Sequence, residues 1–362
     1  MTDDRKQLEE HTPPATKPDG LSSHKPSPEG EGWVRGNVYK EEASFTTPHP
    51  SLLPEGEGGQ IFKPTELSPA IVLLYAIVPL LVLLVATFLA CILAYFAVLV
   101  WGDDVPFRTI IKKSSQLFLV LSIFPTMHYL RLSKFDLGFS VRPVFVKQLW
   151  QGVCLGFVTL IPVFIVLYLL GVNIVDESKP WTLFWVSKKL AIELLLALLI
   201  SLFEEPVFRG ILLTGLSKKM SVKAAIIISA FYYAILHFLD SKAQIPTQDI
   251  NFFSGFKLLG EAFTHLLNPE ILSAFFALFA VGVFLGVLRT QIKASLGLCI
   301  GCHACWVWQI KLSKDLFNIN PSSDYLYLVN GREGVIGPLV TMWLTLAIAG
   351  YFLYKRKKYR NF

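Results

Sequence analysis

Charge is scarce in this chain: only 17% of its 362 residues are Asp, Glu, Lys or Arg, whereas 53% are hydrophobic and the mean hydropathy is +0.52. A water-soluble protein of this size rarely tolerates that balance. Cysteine is also sparse, at five residues, and Cys91 and Cys154 stand alone in separate apolar runs, so no disulfide framework is indicated. The opening Met1-Thr-Asp-Asp-Arg-Lys6 has no apolar core, and a cleaved signal peptide is therefore not expected there. No internal repeat is apparent, and nothing in the charge distribution points to nucleic acid.

What the chain has instead is long apolar runs: Ala70 to Trp101, Leu117 to Leu132, Leu149 to Val172, Leu190 to Leu216, Val222 to Leu239, Ile271 to Leu288, Leu296 to Ile310 and Val335 to Tyr354. A helix needs about 20 apolar residues to cross a bilayer, so these predict an all-α, polytopic membrane bundle of about eight transmembrane helices over residues 70–354. Residues 1–69 differ in kind, with ten of the 21 prolines, seven glycines and 12 acidic against 7 basic side chains. Such a segment cannot bury enough surface to order itself and reads as a disordered tail.

Removing that tail, of net charge −5, from a chain of +6 leaves the membrane part at +11, which suits basic loops lying against anionic lipid. Lys and Arg concentrate on cytoplasmic loops, and the densest cluster is Lys355-Arg-Lys-Lys-Tyr-Arg360, within a basic tail over 355–362. An even number of crossings then puts both termini in the cytoplasm. Lys218, Lys219, Lys223, Arg289 and Lys293 fall on the same side, and the expected location is the cell membrane.

Inside the fourth run sits Leu202-Phe-Glu204-Glu205-Pro206-Val-Phe-Arg209-Gly210. Two carboxylates and a guanidinium cost a few kcal/mol each at bilayer depth, so such residues usually face a cavity or one another. Glu205 and Arg209, four apart and in the favourable order, can neutralise each other as a structural ion pair. Glu204 points about 100° away and is left for other work. Pro206 removes a helical hydrogen bond beside the carboxylates and should open room for water. In the next run Tyr233 and His237 share a face. Glu204 and His237 each lie 14 residues from the basic turn Lys218 to Lys223, roughly 20 Å along their helices, so they can meet. His303, ten residues past Lys293, reaches roughly 15 Å in.

Glu204-Glu205-x-x-x-Arg209, then Tyr233-x-x-x-His237, then His303 in Gly301-x-His303-Ala304-x-Trp306, on successive membrane helices, resembles the CPBP family of intramembrane proteases, which includes Rce1-type CAAX prenyl endopeptidases and bacterial Abi proteins. The resemblance covers about residues 145–312. It implies an intramembrane endopeptidase in which Glu204 and His237 activate a water against the scissile amide of a membrane protein or lipidated peptide, His303 helps hold the oxyanion, and Glu205 with Arg209 is structural. In two places the sequence departs from the family pattern. Tyr233 stands where Phe is usual, and Val307 stands where the third motif has Asn. An apolar side chain cannot donate to an oxyanion. Tyr233, Trp308 and Gln309 are then the candidate pocket or oxyanion residues.

Other readings remain open. Glu204, His237 and His303 make a His₂Glu set for catalytic zinc, although no His-Glu-x-x-His is present and a water activated directly by Glu204, without cofactor, is favoured. Cys299-x-x-Cys302-His303 has the spacing of a haem attachment and Cys305 extends it toward a metal cluster, but in an apolar helix three cysteines at three-residue intervals favour packing. Glu193, four residues after Lys189, reads as a surface ion pair. A scaffold or chaperone that uses the pocket without cleavage, or a transporter with a Glu/His proton relay, is the alternative class.

Overall fold

The computed structural model describes residues 68–360 except Asp103, Arg332 and Glu333. The expected disordered tail lies outside the described residues apart from its last two positions. The apolar runs form helices, and one further helix, α8, lies outside them: α1 (Pro69–Trp101), α2 (Phe107–Leu121), α3 (Ile123–Leu130), α4 (Arg142–Leu169), α5 (Leu183–Glu205), α6 (Leu213–Ser217), α7 (Val222–His237), α8 (Ser254–His265), α9 (Leu272–Gln291), α10 (Leu296–Leu316) and α11 (Pro338–Arg360). Ala70–Trp101, Arg142–Leu169 and Pro269–Gln291 are long and apolar enough to cross a membrane by length and composition alone. The remainder are interrupted by charge or are shorter, as with α7 at 16 residues, about 24 Å. Leu73, Val85, Trp150, Leu169 and Leu346 are among the many large apolar side chains left exposed, as expected where lipid is the solvent. The molecule is a helical membrane bundle and an integral membrane protein.

The second run is not one straight helix. Pro125 has no N–H for the Leu121 carbonyl, and its ring crowds that group. As a result α2 stops at Leu121 and α3 resumes after Ser122, which keeps helical dihedrals of −64° and −17°. Helix α11 continues through the basic cluster as far as Arg360.

Contacts sort the turns into two ends. At one end Lys218 donates to the Leu130 carbonyl (3.2 Å), Thr214 and Arg289 both donate to that of Asp136 (3.2 and 2.7 Å), and Leu296 N–H donates to that of Gly138 (2.8 Å). Lys219 lies over the Tyr75 ring near the start of α1, and Lys355 bonds Gln291 near the end of α11. The basic turns and the outer ends of α1 and α11 therefore share one end of the bundle. In this loop the Ser133 hydroxyl and N–H, both 2.7 Å from its carboxylate, hold Asp136 below the usual carboxylate range. At the opposite end a two-stranded antiparallel ribbon, β1 (Asn173–Val175) with β2 (Phe317–Ile319), ties the end of α4 to the end of α10.

The closest helix packing is between α4 and α10, and it is made by glycine. A Cβ on Gly301 would stand 2.1 Å from the Leu149 carbonyl oxygen, and one on Gly152 would stand 2.3 Å from that of Leu298. Without side chains there, the two backbones touch, as small residues allow in membranes. Gly156 similarly makes room for Cys305, whose side chain a Cβ would meet at 2.5 Å. Cys299, Cys302 and Cys305 are buried and free, and serve as packing between α10 and its neighbours.

Candidate active site

At Pro206 the α5 helix widens into a π-helical segment, Pro206–Leu212. The proline cannot supply the N–H that the Leu202 carbonyl would accept, and such wide turns recur at functional sites. Ser229 of α7 donates to the Phe208 carbonyl (3.1 Å), which docks α7 against this segment. The turn carries Arg209 inward. Its guanidinium, 1% exposed, donates to Glu205 Oε1 at 2.9 Å and lies 4.2 Å from the centre of the Tyr233 ring. A buried charge pair of this kind needs both partners, because one removed leaves the other unpaired in a medium of low dielectric.

His303 meets the same Glu205 oxygen. Its Nδ1 donates to Oε1 at 2.8 Å, which turns Nε2 toward the cavity, 3.3 Å from the Tyr233 hydroxyl and 3.9 Å from Glu204 Oε2. His237 is oriented by backbone. Its Nδ1 is 2.7 Å from the Tyr233 carbonyl, an oxygen that can only accept, so Nδ1 carries the hydrogen. Its Nε2 faces Glu204 Oε2 at 4.0 Å. Glu204 thus faces both imidazoles, while Glu205 is occupied by Arg209 and His303. A gap of 3.9–4.0 Å is too long for a direct hydrogen bond and is suited to a water touching both sides. Glu204 Oε2 is buried without a hydrogen-bond partner of its own.

These side chains open onto a cavity of about 280 Å³ whose walls are mostly apolar: Leu160 and Val163 of α4, Ile200 of α5, Leu278 and Val281 of α9, Trp306 and Val307 of α10, and Val340 and Leu344 of α11. Thr159 ties the floor together, accepting from Trp306 Nε1 at its hydroxyl and from Trp343 Nε1 at its carbonyl, each at 2.8 Å.

Several expectations need correcting. Trp308 and Gln309 are not brought to the site. The Trp308 indole donates to the Leu190 carbonyl (3.0 Å), and the Gln309 amide donates to the carbonyls of Gly156 (3.3 Å) and Cys305 (3.2 Å). Positions 308 and 309 lie on other faces of α10 than His303, whereas Val307, one turn on, does line the cavity. Glu193 does not pair with Lys189, which reaches Asp315 at 3.0 Å; it pairs with Lys311 at 2.9 Å. The cavity continues along α10 toward Lys311, Val335 and Ile336, and so toward the end away from the basic turns. With the basic turns in the cytoplasm, the cavity would extend toward the opposite side of the membrane. Sequence reasoning also missed Lys311 as a cavity residue. The available signal was its spacing, eight residues after His303, hence on the same helical face.

No group of three or more His, Cys, Asp and Glu among the described residues is arranged to hold a metal ion. The donor set that zinc would use is Glu204 Oε2 with His237 Nε2 and His303 Nε2, and it would draw His303 away from Tyr233.

Fold and site together define an integral membrane protein whose helices enclose a Glu/His centre at the head of an apolar cavity. Residues 186–309, a third of the chain and the part that carries Glu204, His237 and His303, match the family model described as Rce1-like, type II CAAX prenyl endopeptidase Rce1-like. The match is a likeness to that family over the segment that carries the site. No curated protein and no solved structure matches the chain.

Proposed function

We propose that the chain is an intramembrane endopeptidase that hydrolyses a peptide bond of a membrane-associated, lipidated protein with water activated by Glu204 and His237. The observation that carries this is the Glu204 carboxylate set 4.0 Å and 3.9 Å from the Nε2 atoms of His237 and His303. A water between Glu204 and His237 gives its proton to the carboxylate as its oxygen bonds to the scissile carbonyl carbon. The carbonyl oxygen then takes the negative charge. Along its edge lie the Tyr233 hydroxyl and His303 Nε2, and with a proton on Nε2 both are donors, worth most where water is excluded. When the C–N bond breaks, the proton held by Glu204 passes to the leaving amine. Glu205 positions His303 through Nδ1 and does not touch the reacting atoms.

No step requires a cofactor in this scheme, and a zinc held by Glu204, His237 and His303 is the competing form of the same hydrolysis. The apolar walls suit a lipid-bearing segment that reaches the cavity from the bilayer. The protein is proposed to be multi-pass in the cell membrane, with the shared basic end and both termini in the cytoplasm. The scaffold reading draws on one observation: Val307 gives the cavity no donor, and Trp308 and Gln309 turn away from it.

The test is incubation of the purified protein, and of Glu204→Gln, with membrane-anchored lipidated peptides, with products read by mass spectrometry. Cleavage is expected to fall by about 10² to 10⁴ in Glu204→Gln, since the amide keeps the shape but cannot take the proton. Binding without cleavage by the unaltered protein would establish the scaffold instead.

A further inference from the structure

A second hollow lies on the outside of the bundle, between α1, α7 and α9. It measures about 460 Å³, and its walls include Leu73 and Ile77 of α1, Ile227 and Phe231 of α7, and Phe275 and Phe276 of α9. Leu73, Ile227 and Phe276 are exposed, so it opens toward lipid. Tyr232 brings the one polar side-chain group of the lining, and that hydroxyl already donates to the Ala76 carbonyl at 2.6 Å. The walls therefore have no free group with which to hold a polar solute, and an alkyl chain is what they suit. Two cations mark one end of this hollow. Lys223, Ile227 and Phe231 lie four residues apart on one face of α7, which sets the lysine at the end nearest the basic turn. Lys219, in that turn, has its ammonium 5.3 Å from the centre of the Tyr75 ring, and Tyr75 stands between Leu73 and Ile77 in α1. Both lysines are exposed, and among the described residues neither has a carboxylate partner. The loops at this end, 131–142, 217–223 and 289–295, contain a single acid, Asp136, which Ser133 already engages.

We propose that the hollow is a binding site for one anionic phospholipid, with its phosphate at Lys219 and Lys223 and an acyl chain laid along α7 toward Phe231 and Phe276. From Lys223 to Phe231 is eight residues, about 12 Å down the helix from the headgroup. A basic turn at the membrane boundary beside an apolar groove between helices supplies both halves of such a ligand, charge for the head and alkyl surface for the tail. A zwitterionic lipid brings the same phosphate but also its own cation, which two unpaired lysines repel. The inference is independent of the protease reading. The bound lipid braces α7 from behind, on the helix that carries Tyr233 and His237 on another face.

The test is native mass spectrometry of the full-length protein in detergent, titrated with phosphatidylglycerol or phosphatidylcholine carrying the same acyl chains. Phosphatidylglycerol should be retained roughly tenfold to thirtyfold better, the scale of two lysines beside an anionic headgroup. Lys219→Gln/Lys223→Gln should bring the ratio close to one. Lys134→Gln/Lys147→Gln, at the same end but away from α1, α7 and α9, should keep the preference. Ala76→Phe fills the hollow and should lower retention of both lipids; if that variant fails to fold, the two lysine pairs still decide. Equal retention of the two lipids overturns the site, as does a preference that survives in Lys219→Gln/Lys223→Gln. Equal loss in the two lysine pairs also overturns it, leaving only a diffuse basic surface. Displacement of the lipid by glycerol phosphate at the same concentration would reduce it to an anion site without a chain, and a protein dimer in place of retained lipid would give the groove to a second copy.

Discussion

His303 and Arg209 share a single oxygen, Oε1 of Glu205, at 2.8 Å and 2.9 Å. One fully buried carboxylate therefore joins α10 to the π-helical turn and sets the direction of the imidazole. The adjacent carboxylate, Glu204, has no such tie, and the two neighbours should respond differently to the same substitution.

Glu205→Gln leaves Arg209 buried without its counter-charge and loosens His303. It should cost about 3 to 5 kcal/mol of stability. Thermal unfolding in detergent of Glu205→Gln beside Glu204→Gln is the check. Equal melting temperatures would mean that the shared oxygen holds nothing together.

Tyr233→Phe keeps the ring under Arg209 and removes only the hydroxyl near His303 Nε2. If that hydroxyl meets the oxyanion, the turnover rate should drop by about 10- to 10³-fold with little change in KM. An unchanged rate would reduce Tyr233 to a packing residue.

Val307→Asn introduces an amide on the cavity face one turn from His303. A retrofitted donor should recover part of the 10² to 10³ that a well-placed one is worth, so turnover should rise by roughly severalfold. Trp308→Phe and Gln309→Leu should leave the rate unchanged, because their donors are engaged elsewhere. Rate loss in either would return that residue to the oxyanion.

Chelator treatment is expected to leave cleavage intact, and elemental analysis to find well under one zinc per chain. Near-stoichiometric zinc, lost together with activity in His237→Ala and His303→Ala, would make these residues ligands instead.

Cysteine-labelling tags at the Lys218 to Lys223 turn, at Lys293 and at the C-terminus should all react from the cytoplasmic side. Reaction from opposite sides would contradict their shared end. Uniform reaction from the outside would invert the bundle and turn the Lys311 end of the cavity to the cytoplasm.

Apart from α8, an amphipathic helix outside every apolar run, the helices were legible in the sequence because long apolar runs leave the backbone few choices in lipid. The break between α2 and α3 was written in Pro125. Glu204, His237 and His303 were also legible, by their spacing from basic turns. What could not be read was the rotation of each helix about its axis. That rotation turns Trp308 toward α5, sends Gln309 to Gly156, and gives Glu193 to Lys311 rather than to Lys189 four residues away. The lining of the cavity depends on the same rotation, which brings Val340 and Leu344 of α11 to it.

Thr159 of α4 accepts from Trp306 of α10 and from Trp343 of α11, and of these three only Trp306 lies within the segment 186–309. The Glu/His groups thus lie inside the matched segment, while the part of the wall carried by α4 and α11 lies outside it. Leu160, Val163, Val340 and Leu344 line the cavity and, being apolar, hold neither Glu204 nor an imidazole by a polar contact. Changes in the first and last wall helices would thus alter what the cavity accepts while leaving the Glu/His centre in its own frame.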